Sequence, residues 1–156
     1  IRVGEKILQR VGAKKPMIWG ALITTSGVAM KGLTFLPDIT YTAVVFVGFA
    51  LFGLGLGIYA TPSTDTSVSN APSDKVGQAA GVYKMASSLG GAFGVAISAA
   101  VYGSAAASGN LEFAATLGIL VNVAFGILSI ISIITLVPDS AGKARISEKA
   151  GVAVSD

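Results

Sequence analysis

Cysteine and histidine are both absent from this 156-residue chain, and charged residues are scarce, at 12%. With no thiol there is no disulfide and no thiol nucleophile, and with neither residue there is no Cys/His zinc site and no imidazole proton relay. An ordinary soluble domain carries about 25% charged residues, so the shortage of charge argues against a water-soluble globule. Nucleotide and hydrolase motifs are missing too. The run Gly53-Leu-Gly-Leu-Gly57 has no preceding strand, lacks the third glycine spacing and has no acidic residue at the right distance beyond it. There is no Walker lysine, no Gly-x-Ser-x-Gly elbow and no carboxylate pair in a plausible cleft, so an enzyme is not expected and no cofactor or metal is implied.

What is present is apolar. Hydrophobic residues make up 53% of the chain, and the mean hydropathy is +0.75. Four apolar blocks, at about 16–36, 41–62, 76–102 and 113–137, each approach the roughly 20 residues that cross about 30 Å of hydrocarbon. The expected fold is therefore an all-α membrane protein with four transmembrane helices. Pro16 suits a first helical turn, Pro37-Asp38 closes the first block, Pro62 breaks the second, Ser73 can cap the third with Asp74 at its positive end, and Pro138 stops the fourth. Residues 1–15 form a basic loop. Residues 139–156 have too little apolar surface to fold alone and read as a disordered or surface-lying tail. The chain opens on Ile1 with a charged segment, and so reads as a piece of something longer.

Basic residues set the orientation. Arg2, Lys6, Arg10, Lys14 and Lys15 precede the first block, Lys75 lies between the second and third, and Lys143, Arg145 and Lys149 follow the fourth, against Lys31 alone on the opposite side. The bias places both ends and the middle loop in the cytoplasm. No nucleic-acid partner is expected; the partner implied is membrane lipid.

The blocks differ in character. The fourth is rich in Ile, Leu and Val nearly all round and suits a lipid-facing position. The second carries Gly48, Gly53, Gly55 and Gly57 and then the polar run YATPSTDTS; its small, polar inner half is tolerated in a membrane only where protein or a watery cavity covers it. Tyr59, Thr61, Thr64 and Asp65 are therefore substrate candidates, since an aromatic face with a carboxylate suits an organic cation. Tyr59 also fits an interfacial belt. In the third block Gly77, Ala80, Gly81, Ser87, Ser88, Gly91, Gly94 and Ser98 recur at helical spacing and form a small-residue packing stripe. Lys84 projects from that stripe. It is either an interfacial lysine whose stem snorkels to water or a functional charge, and at matched depth Asp65 could pair with it as a cytoplasmic gate. Asn122, in the fourth block, reads as a tie between helices.

The first fifteen residues form a basic amphipathic segment. The run Gly4-Glu-Lys-Ile-Leu-Gln-Arg-Val-Gly-Ala-Lys-Lys15 resembles the cytoplasmic loop signature of the major facilitator superfamily, with Arg10, Gly12, Lys14 and Lys15 matching and Gln9 standing where the family usually has aspartate. Pro72, Gly77, Gly81-Val-Tyr and Leu89-Gly-Gly-Ala-Phe-Gly-Val-Ala-Ile97 resemble the penultimate helix of fourteen-span drug:proton antiporters of the QacA type. The resemblance implies the last four spans of a longer transporter, a partial C-terminal bundle. In it the second helix would line the cavity, the third would sit between the halves, and the first and fourth would be outer supports. It also implies amphipathic or cationic drugs and protons as partners, with the coupling acid in other spans, because no carboxylate or histidine falls at mid-membrane here. Two alternatives stand beside it: a self-contained four-span protein acting as a homo-oligomer, and a non-transporting truncated fragment.

Overall fold

The computed structural model describes residues 12–69 and 71–139. Among the described residues four helices follow one another: α1 Lys14–Met30, α2 Asp38–Ser69, α3 Val76–Ala106 and α4 Leu111–Leu136. The expected all-α architecture is present. Three of the helices, α2, α3 and α4, are long and apolar enough to cross a membrane. At 17 residues, α1 rises about 26 Å, a little less than the hydrocarbon thickness.

Local chemistry explains where the helix ends depart from the expected bounds. After Met30 the chain tightens into turns, with Lys31 N–H donating to Val28 O, Gly32 N–H to Ala29 O and Leu33 N–H to Met30 O, so α1 stops six residues before the expected Leu36. Pro62 does not break α2. Its side chain is fully buried, and the helix runs on to Ser69, because one lost backbone donor is a local cost that burial of the ring offsets. Ser73 does not cap α3 either: a turn from Pro72 O to Lys75 N–H leads in, and the residue at the cap, Lys75, makes no side-chain cap bond. The alanines after Tyr102 prolong α3 to Ala106. Gly109, at φ +86°, then takes a left-handed conformation that favours glycine. The side chain of Asn110 accepts from Phe113 N–H at 3.0 Å and starts α4.

The tightest packing is between α1 and α2, which run antiparallel with glycine set against glycine. A Cβ added at Gly20 would lie 2.8 Å from Gly55 O, and one at Gly27 would lie 2.6 Å from Gly48 O. With no hydrophobic force between helices in lipid, such backbone approach is what supplies dispersion contact. The other side of α1 meets α4, where Gly126 receives Thr25 and where Met17, Ala21 and Ile133 form a small core with Ala13. Within this chain α1 is thus flanked on two sides, although the family pattern implied an outer support. Polar ties complete the array. Thr34 and Thr116 share a hydroxyl hydrogen bond of 2.7 Å, and Tyr83 Oη donates to Ser63 Oγ at 2.9 Å across the slighter α2–α3 contact.

The expected tie at Asn122 is made: its Nδ2 donates to Ser98 Oγ at 2.8 Å and to Gly118 O at 2.9 Å. Interhelical hydrogen bonds in membranes contribute on average about 0.6 kcal/mol. Asn122→Ala is accordingly expected to lower thermal stability in detergent slightly while leaving assembly intact; a collapse of the folded peak in size-exclusion chromatography would contradict this.

Candidate functional site: the open face of α2

Residues on the far side of α2 from α1 recur at steps of three and four, from Gly53 and Gly57 to Thr61, Thr64 and Val68. This face is open. A Cβ at Gly53 or Gly57 would meet nothing within 4 Å, and at the inner end Ala60, Thr61, Thr64, Asp65 and Val68 line a shallow groove of about 460 Å³. The Thr64 hydroxyl donates back to Ala60 O at 2.9 Å, which leaves its oxygen able to accept from a ligand. Asp65 supplies a negative charge at the groove and is engaged in an interaction of its own within the chain.

Three of the residues picked from sequence, Thr61, Thr64 and Asp65, are brought together here, and two are not. Tyr59 lies on the α1 side, packed against the small core and bordering a separate cavity of about 150 Å³ with Thr24, Thr25 and Ser129. Lys84 is exposed on α3. An ion pair of 3.1 Å joins Lys14 to Asp139, and the neighbour of Lys84, Tyr83, reaches α2.

Of the loop signature, Arg10 lies outside the described residues. Gly12 adopts φ +76°, a left-handed conformation that favours glycine there, and Lys14 and Lys15 open α1. The proposed packing glycines Gly53, Gly57, Gly77, Gly81, Gly91 and Gly94 all face open space within this chain, and no residue of α3 is buried. The glycines that bring α1 and α2 together are instead Gly20, Gly27, Gly48 and Gly55. Their sequence signal was a pair of glycines seven apart on each of two neighbouring helices.

Sequence reasoning also passed over an aromatic contact. The Lys31 ammonium lies 3.6 Å from the centroid of the Phe49 ring and 4.7 Å from that of Phe52. Phe49 is eight residues inside the apolar block that begins at Tyr41, roughly 12 Å at 1.5 Å per residue. A central charge costs roughly 2.5 to 3.5 kcal/mol on insertion scales, and a cation over a ring returns about 0.5 to 2 kcal/mol. The rings offset only part of the cost.

Large apolar side chains stand exposed over the outer surfaces, among them Phe35, Phe46, Phe93, Ile131 and Leu136, as on a bundle that meets lipid or further helices. The Major Facilitator Superfamily profile matches residues 2–95. The chain belongs to the major facilitator superfamily. The superfamily is one of membrane transporters, and the resemblance of the loop signature is accounted for by membership in it. Among curated proteins the chain is similar to the quinolone resistance protein NorB of Staphylococcus aureus. It is 54% identical to the form from strain MRSA252 over 138 residues, and 55% identical to that from strain COL over 138 residues. Those 138 residues are 88% of this chain and 30% of the relative's length, so the chain spans about a third of a major facilitator of this kind.

Proposed function

We propose that the chain forms the last four membrane helices of a fourteen-span multidrug exporter of the QacA type. It would move amphipathic and cationic drugs, quinolones among them, out of the cell by proton antiport and alternating access. The observation that carries this reading is the 54% identity over 138 residues to a quinolone resistance protein. The pattern from Gly81 to Ile97 supports the fourteen-span form. On this reading α2 lines the drug path, with Thr61, Thr64 and Asp65 at its inner end; both termini are cytoplasmic, in keeping with the basic loops. The proton-coupling acid belongs to other helices, since Asp65 lies beyond the apolar part of α2. Alternating access then rocks this bundle as a unit against the rest.

A graft tests the reading. NorB in which this chain replaces the matching 138 residues is expected to keep quinolone resistance within about twofold of the parent, measured as the minimum inhibitory concentration in a pump-deficient host. The chain expressed alone is expected to give none. A graft that reaches the membrane at normal level and confers no resistance would overturn the proposal.

A further inference from the structure

Lys31 and its two rings have no part in the function proposed above. The lysine follows α1, and its stem crosses α2 at a glycine: a Cβ added to Gly48 would meet Lys31 Cγ at 3.5 Å. The side chain therefore turns back along α1 into the apolar zone, the direction in which helical side chains lean, and ends over the faces of Phe49 and Phe52. Among the described residues no carboxylate forms an ion pair with Lys31. Ring faces attract an ammonium but give its three N–H donors no oxygen. Phe49 is 58% exposed, and four-residue steps lead from it through Gly53 and Gly57 toward the groove at Thr64.

We propose that Lys31, Phe49 and Phe52 form an outer subsite for the carboxylate of an aromatic acid drug. The ammonium donates to the carboxylate, and the drug's ring lies against the exposed Phe49. The charge complementarity is specific to an anionic group, and the flat apolar neighbour selects one attached to an aromatic system. Sixteen residues separate Phe49 from Asp65 along α2, roughly 24 Å at 1.5 Å per residue, too far for one small drug to touch both. A zwitterionic drug therefore meets the inner carboxylate with its ammonium and the outer ammonium with its carboxylate in succession. This inference rests on the exporter reading for its biological setting and adds a selectivity that reading lacks.

The test uses the same NorB graft with Lys31→Gln and Lys31→Arg, and three probes: a quinolone carboxylic acid, its methyl ester and a permanently cationic dye. Lys31→Gln is expected to reduce efflux of the acid at least fourfold while the ester and the dye stay within twofold, and Lys31→Arg to restore the acid. Equal losses for all three probes would make Lys31 merely structural and overturn the proposal, as would an unchanged acid. Equilibrium dialysis of the purified graft reads the subsite without transport, so that its failure and that of the exporter reading are separable. Acid bound by the parent graft and released by Lys31→Gln supports the subsite. Equal binding, no binding, or displacement of the lysine's ligand by anionic lipid but not by the acid overturns it.

Discussion

Replacing Gly27 by leucine is expected to pull α1 away from α2 and to remove most of the folded protein from a detergent extract. A Cβ at this position would fall 2.6 Å from Gly48 O and 2.7 Å from Phe52 N. Both are backbone atoms, which cannot rotate aside as a side-chain end can. Overpacking a filled site costs typically 1 to 3 kcal/mol, and the clash here lies at or above the upper figure because two helix axes must separate. The loss also spreads, since α1 is the helix that joins α2 to α4. Fluorescence-detected size-exclusion of the grafted transporter after a heat step reads the effect. Gly53→Leu is the control, because its Cβ would meet nothing within 4 Å and so leaves the α1–α2 contact undisturbed. If Gly27→Leu proved as heat-stable as the parent, the two helices could not approach as described.

The same pair of glycines shows what could be read from the chain beforehand and what could not. Composition alone gives the number of helices and their rough extents, because lipid demands some 20 apolar residues per crossing whatever the neighbours are. Which glycines touch is a property of the crossing between two helices. Gly53 and Gly55 look alike in sequence, yet only Gly55 is buried, against Gly20. The helix ends moved for a related reason: Pro62 is a breaker by propensity, but as a buried proline it leaves α2 continuous. The groove was half legible. Thr61, Thr64 and Asp65 stand together, as a polar inner half suggests, but Tyr59 is two residues from Thr61 and so about 200° away around the helix, which puts it among the α1 contacts. Lys31 reads as a loop charge on the outer side, and only the path of its stem across Gly48 carries its ammonium down to Phe49.

That division of α2 into two faces gives the second large effect. Thr64→Trp is expected to cut export of every substrate about tenfold or more, because the indole would fill the shallow groove that the proposed exporter offers to a drug, while the variant folds normally, since Thr64 is exposed. Tyr59→Phe, on the opposite face, is expected to leave export within twofold. Asp65→Asn separates charge from shape. It keeps the side chain's size and removes the negative charge, so cationic dyes should lose about tenfold, equivalent to roughly 1.4 kcal/mol, while an uncharged quinolone ester changes little. Because Asp65 is already engaged within the chain, a cation entering the groove must share or displace that interaction, and the apparent affinity for cations should then fall short of what a lone carboxylate would give. Drug efflux from energised vesicles, compared across the three variants at matched expression, distinguishes the faces: a strong defect in Tyr59→Phe with a silent Thr64→Trp would place the drug path between α1, α2 and α4 instead.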